Sequence, residues 1–245
     1  MSGRQWTRLT DRLASSHRVV VPDLLGYGAN PRWPGDRGFT LAHEVAAVRA
    51  LAQELGEPAH WVGHSYGGLI ALLLALEAPT LVRSLSLYEP VAFGVLHALG
   101  DALGLADLAK VEASPVFADV TQGGSEAWMR EFIDYWSGSG AWEALAPTAR
   151  AGFLVSAQKT FLEVKALMAH RVTPEGWRGL EIPTLVLSGS RSPPSARRVA
   201  MRLPELLPQA RWVELPGAGH LGPLTQANEV NALIAEHIAS VEGTH

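Results

Sequence analysis

The chain has 245 residues, of which 47% are apolar and 18% are charged. This composition is typical of a folded domain with a large core and excludes a disordered chain. The net charge of −4 argues against nucleic acid or an anionic membrane as a partner. Because the chain has no cysteine, disulfides, thiolate nucleophiles and cysteine-ligated metals are excluded.

The N-terminal stretch "MSGRQWTRLTDRLASSHR" is polar and lacks the apolar segment of a signal peptide. The longest apolar run, "GGLIALLLALEAP", is too short to cross a bilayer. We therefore expect a soluble, cytoplasmic protein without a membrane partner.

Helical and strand patterns alternate along most of the chain. Helices are predicted for "RQWTRLTDRLASSH", "TLAHEVAAVRALAQELG", "GGLIALLLALEAP" and "ANEVNALIAEHIASV". Buried strands are predicted for "RVVVPDLLGYG", "AHWVGHS", "VRSLSLYEPV", "IPTLVLSGSRSPP" and "ARWVELPGAGH". This alternation predicts an α/β fold with a doubly wound, mainly parallel sheet and helices on both faces, formed by residues 1–90 and 181–245.

Residues 91–180 carry helical patches without a clear strand, and we interpret them as an inserted helical cap or lid. Within them, Trp128, Phe132, Tyr135 and Trp136 recur at helical spacing. They could form the core of the insert. Alternatively, Trp128, Phe132 and Trp136 could line an apolar substrate cleft, and both interpretations can hold together.

The sequence "GHSYGG" joins a predicted strand directly to a predicted helix. A serine at such a turn is exposed at its tip, and the small Gly63 and Gly67 allow the backbone to turn sharply. We interpret Ser65 as a nucleophile and the backbone N–H of Tyr66 as an oxyanion donor at the helix N-terminus. The alternative is a glycine-rich turn with an idle serine.

A serine nucleophile needs a base, and His220 in "LPGAGHLGP" is the candidate. It follows the last predicted strand and precedes the final helix. The alternative is a loop histidine with a purely structural hydrogen bond.

In this order, the strand "VVVPDLLGYG", the serine turn, "SLYEPV", the helical insert, "IPTLVLSGSRSP" and "LPGAGHLGP" resemble the α/β-hydrolase fold family of serine hydrolases and esterases over almost the whole chain. The resemblance implies a Ser65–His220 pair assisted by an acid. It gives His64 a packing or hydrogen-bonding role beside the nucleophile, and we group it with the substrate-binding residues.

The acid departs from the common family pattern, because Ser192 occupies the position of the aspartate in "GSRS". Some relatives place the acid after the strand that follows the nucleophile helix, where this chain has Glu89. We therefore assign Glu89 as the acid, with Asp23 as the weaker substitute. The alternative is a glutamate that caps a helix or loop.

The N-terminus also departs from the family, whose strand ending in His-Gly supplies a second oxyanion donor. That strand would lie between "RVVVPD" and "HWVGHS", and we expect these N-terminal strands of the fold to be missing. Our hypothesis is that Met1 lies inside a longer reading frame. Otherwise, the neighbouring strands would pair directly or another chain would fill the gap.

These features predict a serine hydrolase that cleaves the carboxylic ester, or a related acyl bond, of a small, partly apolar substrate through an acyl-enzyme. Thioesterases, C–C bond hydrolases and cofactor-free perhydrolases use the same groups. A weakly active or inactive small-molecule binding protein is the other alternative. The nine histidines are scattered without metal-ligand spacing, so no metal and no cofactor are expected. The oligomeric state stays open.

Overall fold

The computed structural model describes residues 3–34 and 38–243. Within these residues, four strands form one parallel sheet in the order β1-β2-β3-β4. Their bounds are Ala59–His64 (β1), Val82–Tyr88 (β2), Thr184–Gly189 (β3) and Ala210–Leu215 (β4). In this register Gly63 pairs with Leu87, and Leu87 pairs with Val186. The carboxyl ends of β1, β2 and β3 therefore meet at one edge of the sheet.

The α-helices of the described residues surround this sheet. They are Thr7–Leu13 (α1), Leu41–Leu55 (α2), Tyr66–Glu77 (α3), Gly94–Ala98 (α4), Ala102–Glu112 (α5), Pro115–Ala118 (α6), Glu126–Ser137 (α7), Ala141–Ala144 (α8), Pro147–Ala169 (α9), Pro174–Arg178 (α10), Pro194–Arg202 (α11), Gly222–Thr225 (α12) and Ala227–Glu242 (α13). None of these helices is both long and apolar enough to cross a membrane.

The core has two main parts because side chains alternate between the faces of the sheet. Leu85 and Leu87 belong to a cluster that includes residues of α2, α3 and α11. Leu185 and Leu187 belong to a second cluster with residues of α1 and α13. The prediction of a parallel α/β sheet with helices on both faces is confirmed.

Within residues 91–180 the structure has the helices α4 to α10 and no strand, which agrees with the helical pattern of the sequence. A buried ion cluster joins this segment to the helices on the sheet. Lys159 Nζ on α9 lies 2.7 Å from Glu44 Oε1 on α2 and 2.6 Å from Glu163 Oε1. The division of the chain into a core and a cap stays a prediction.

The predicted strand in "RVVVPDLLGYG" is wrong, because residues 18–24 have no regular secondary structure. Val20 and Val21 are 43% and 37% exposed. A strand exists only through its hydrogen-bonded neighbours, and none of the described residues pairs with this segment. It does not pair with β1 either. A cavity of about 430 Å³ is lined by both residues 18–22 and β1, so β1 lies at the edge of the described sheet.

Candidate active site

Ser65 occupies a sharp turn between β1 and α3. Its φ of +54° is in the left-handed region, which an L-residue adopts only when its surroundings hold it there. The Ser65 N–H donates to Tyr88 O at 2.9 Å, and the Gly68 N–H donates to Ser65 O at 3.0 Å. The neighbouring strand and the first turn of α3 therefore fix the serine at the tip.

The glycines around Ser65 differ in how closely the backbone approaches them. A Cβ on Gly63 would lie 2.6 Å from Gly68 Cα, and a Cβ on Gly68 would lie 3.1 Å from Pro90 Cβ. A Cβ on Gly67 would meet nothing within 4 Å. The second close approach is thus at Gly68 and not, as the motif predicted, at Gly67.

A continuous line of hydrogen bonds runs from Ser65 to Glu89. The Ser65 Oγ lies 3.0 Å from His220 Nε2, and His220 Nδ1 lies 2.7 Å from Glu89 Oε2. All three residues are buried, and Glu89 is fully so. When Nδ1–H donates to the carboxylate, Nε2 is left to accept the Ser65 hydroxyl proton.

Both carboxylate oxygens of Glu89 are engaged. Oε1 accepts the Gly189 N–H at 2.7 Å, while Oε2 faces His220. Glu89 has a φ of +44°, and its own N–H donates to Leu187 O at 2.8 Å. The parallel neighbour β3 therefore holds both the backbone and the side chain of Glu89 at the end of β2.

Ser192, at the usual position of the family acid, and Asp23, the weaker substitute for Glu89, are not part of this line of hydrogen bonds. Ser192 Oγ is buried and has no hydrogen-bond partner among the described residues. Asp23 accepts from the Gly3 and Ala29 N–H groups at 3.2 and 3.3 Å. Neither residue is among the hydrogen-bond partners of His220.

His64 lies directly beside this line of hydrogen bonds. Its Nε2 lies 2.8 Å from His220 O, and its Nδ1 lies 2.9 Å from Gln5 Oε1. Burial, followed by the nearby His220, lowers the pKa of His64 well below its usual value. A neutral His64 can donate Nε2–H to the His220 carbonyl, so it positions the loop that carries His220.

A cavity of about 820 Å³ opens onto Ser65 and His220. The predicted residues Trp128, Phe132 and Trp136 line it, and so does His64. Trp128 is also fully buried and stacks on Phe132 with ring centroids 5.3 Å apart. The aromatic residues of α7 are therefore both core and cavity wall.

The polar part of this cavity was missed by sequence reasoning. Its wall includes Tyr27, Thr160 and Glu163, and the Tyr27 hydroxyl donates to Glu163 Oε2 at 2.6 Å. The Tyr66 hydroxyl is buried without a hydrogen-bond partner among the described residues. Burial raises the pKa of this phenol above its usual range, so it stays a neutral donor. No spacing in the sequence links these residues, because they come from a loop, the serine turn and α9.

A hydrogen-bonded serine, histidine and acid, with the serine at a sharp turn between a strand and a helix, is an arrangement typical of α/β hydrolases. The family model described as "Alpha/beta hydrolase family" matches residues 1–233. The chain belongs to this family.

The chain is similar to several curated proteins. It is 31% identical over 239 residues to the dihydrolipoyllysine-residue acetyltransferase component of the acetoin cleaving system of Cupriavidus necator, which covers 95% of this chain and 59% of that protein. It is 42% identical over 86 residues to a 2-hydroxymuconate semialdehyde hydrolase of a Pseudomonas species, covering 34% of this chain and 29% of the relative. The chain thus spans about three fifths or less of these relatives.

Solved structures share the fold at lower identity. A thermophilic esterase from Thermogutta terrifontis has a TM-score of 0.70 at 23% identity, over 98% of this chain and 86% of that one. A meta-cleavage product hydrolase from Pseudomonas fluorescens has a TM-score of 0.68 at 20% identity and the same coverage. These two likenesses show a shared fold over nearly the whole chain.

Proposed function

We propose that this protein is a serine hydrolase that cleaves a carboxylic ester of a small, partly apolar substrate through an acyl-enzyme. The observation that carries the proposal is the pair of short contacts, 3.0 Å from Ser65 to His220 and 2.7 Å from His220 to Glu89. A serine hydroxyl becomes a useful nucleophile only beside such an oriented base.

The reaction would proceed in two halves. Ser65 Oγ attacks the ester carbonyl while His220 Nε2 takes its proton, and the imidazolium returns that proton to the leaving alcohol. His220 then takes a proton from water as that water attacks the acyl-enzyme carbonyl. The imidazolium returns this proton to Ser65 Oγ when the bond to the acyl group breaks and the acid is released. Glu89 keeps the Nδ1–H tautomer and stabilises the imidazolium in both halves.

The negative charge on the carbonyl oxygen would lie at the N-terminus of α3. Tyr66 is the first residue of this helix, where a backbone N–H has no intrahelical acceptor. Its N–H is thus our proposed oxyanion donor, and the positive end of the helix dipole adds to the stabilisation.

The cavity supports an ester with an apolar group. Its wall beside the serine consists largely of aromatic and aliphatic side chains from α7 and α9. Such a wall favours apolar substrate parts, because their transfer from water releases about 25 cal/mol per Å² of buried apolar surface. The esterase name of a structural relative agrees with this class.

A C–C bond hydrolase that uses the same three residues is the second candidate. Two relatives carry the names 2-hydroxymuconate semialdehyde hydrolase and meta-cleavage product hydrolase. Tyr27, Thr160 and Glu163 form a polar wall of the cavity. This wall is a better match for a substrate with a polar end than for a simple alkyl ester.

The test is to incubate the protein and its Ser65→Ala variant with a fluorescent alkyl phosphonate and to measure the adduct by intact mass. We expect one adduct on the wild type and none on the variant. Turnover of an ester panel would then be compared with turnover of a vinylogous keto-acid, which separates the two candidates. A folded wild type that forms no adduct would overturn the proposal and leave the small-molecule binding protein as the alternative.

A further inference from the structure

Two histidines and a glutamate meet at the edge of the sheet, away from Ser65. His17 follows α1, His60 lies on β1, and Glu242 is the last residue of α13. Glu242 Oε1 lies 3.1 Å from His17 Nε2 and 3.7 Å from His60 Nε2. One ligand atom from each residue lies within 4.8 Å of the others.

Both imidazoles are oriented through their Nδ1 atoms. His17 Nδ1 lies 2.8 Å from Ser16 Oγ, and His60 Nδ1 lies 2.7 Å from Ser84 Oγ. The Ser16 hydroxyl donates to Leu13 O at 3.3 Å, so its oxygen can accept Nδ1–H. A histidine that donates Nδ1–H keeps the lone pair on Nε2, and this is how metal-bound histidines are usually held.

The Nε2 atom of His60 is buried and has no hydrogen-bond partner among the described residues. The Glu242 oxygen at 3.7 Å is too far away for a hydrogen bond. A buried polar atom without a partner costs free energy. In the tautomer that carries its proton on Nδ1, His60 would present the Nε2 lone pair to a carboxylate that cannot donate. A cation between the two groups would satisfy both.

We propose that His17 Nε2, His60 Nε2 and Glu242 Oε1 bind a Zn²⁺ ion, with water as the fourth ligand. Imidazole and carboxylate groups suit zinc, whereas Mg²⁺ and Ca²⁺ prefer oxygen ligands alone. Tetrahedral zinc with bonds of about 2.0–2.1 Å places its ligand atoms roughly 3.4 Å apart. The distances of 3.1 and 3.7 Å to Glu242 Oε1 lie on either side of this value.

The ion would be structural. It would link the segment after α1 and the C-terminal end of α13 to the edge strand β1. The site lies beside the cavity that is lined by β1 and by residues 18–22. The proposal is independent of the hydrolase chemistry, since none of the three ligands is among the hydrogen-bond partners of Ser65 or His220.

The positive charge of Arg83, which also lines this cavity, would weaken the binding of a cation there.

The experiment uses the full chain without an affinity tag, stripped with a chelator, and Zn²⁺ as the titrant in calorimetry. We expect one zinc ion per chain and a rise of the unfolding midpoint by about 5–10 °C at a hundredfold excess over Kd. Mg²⁺ should cause no shift. Co²⁺ bound in place of Zn²⁺ should show the visible absorption of a tetrahedral site.

His17→Gln and Glu242→Gln change partly exposed ligands and should each weaken zinc binding by at least about tenfold. His97→Gln is the matched control, because His97 contacts Arg171 elsewhere and should bind zinc as the wild type does. Arg83→Gln should bind zinc more tightly, because a repelling charge is removed. A wild type that binds no zinc, or ligand variants that bind it as tightly as the control, would overturn the proposal.

Discussion

The indole of Trp136 stacks on the imidazole of His220, with ring centroids 3.8 Å apart and ring planes inclined by 24°. Trp136 lies on α7 of the helical segment, whereas His220 lies in the loop after β4. The base of the proposed reaction is therefore held by Glu89 at its Nδ1 and by an aromatic face from a distant part of the chain.

We expect Trp136→Leu to lower kcat/KM about 2- to 10-fold, because an aromatic pair contributes about 0.5–1.5 kcal/mol beyond its buried area. Trp136→Phe keeps an aromatic face and should lose less. Ester hydrolysis by both variants, beside circular dichroism to check the fold, tests this. Equal activity of the leucine variant and the wild type would show that the stack does not orient His220.

Glu89→Gln should leave the fold intact and reduce kcat by about 10⁴-fold. The glutamine carbonyl can still accept the Gly189 N–H, but its NH₂ group then faces His220 Nδ1. His220 would have to accept at Nδ1 and would present Nε2–H to Ser65, which removes the base. Steady-state kinetics and phosphonate labelling of the variant check the prediction, and retention of a tenth of the activity would contradict it.

Gly63→Ala and Gly67→Ala form a matched pair on either side of the serine. The first adds a Cβ 2.6 Å from Gly68 Cα, and we expect it to destabilise the fold by about 1–3 kcal/mol or more. The second adds a Cβ into open space on a helix, where alanine is favoured over glycine. Urea unfolding should therefore show a loss for the first variant only. A comparable loss at Gly67 would refute this account of the turn.

Lys159→Met should destabilise the protein by about 3–5 kcal/mol, because it leaves Glu44 and Glu163 buried without their counter-charge. Burial already raises the pKa of Glu163, so its carboxylate depends on the lysine. Lys110→Met, at an exposed position of α5, is the control and should stay within about 0.5 kcal/mol of the wild type. Free energies of unfolding from urea titrations decide between them, and similar values for the two variants would count against a stabilising role of the ion cluster.

The free energy of unfolding should fall as the pH drops from 6.5 towards 5. The pKa of His64 is lowered in the folded state, so below the unfolded value of about 6.5 the unfolded chain binds a proton that the folded chain does not. Each such histidine contributes up to about 1.4 kcal/mol per pH unit. His64→Gln should therefore give a shallower decline in urea titrations at pH 7.5 and 5. An unchanged slope would exclude His64 as a source of the decline and would point to another buried histidine such as His237, whose pKa is also lowered by burial.

Local pattern was enough to predict the four strands of the described sheet and the helices α1, α2, α3 and α13. Thr40 and Gly56 flank α2 as its N-cap and C-cap, at the two ends of the predicted helical segment. The change from an apolar strand to an apolar helix around Ser65 predicted the sharp turn. The predicted strand in residues 18–24 failed because its β-branched run carries strand propensity but finds no pairing partner. Propensity is local, whereas a strand needs a neighbour.

The sequence by itself determined the parallel α/β fold, the serine turn and the three residues proposed to act together, because each lies at the end of a strand and parallel strands bring their carboxyl ends to one edge. Only the tertiary structure decided which groups surround them. Trp136 meets His220 across 84 residues of the chain. Glu242 meets His60 across 182 residues and His17 across 225 residues. No short-range pattern encodes such contacts, since they depend on how packed helices cross the sheet.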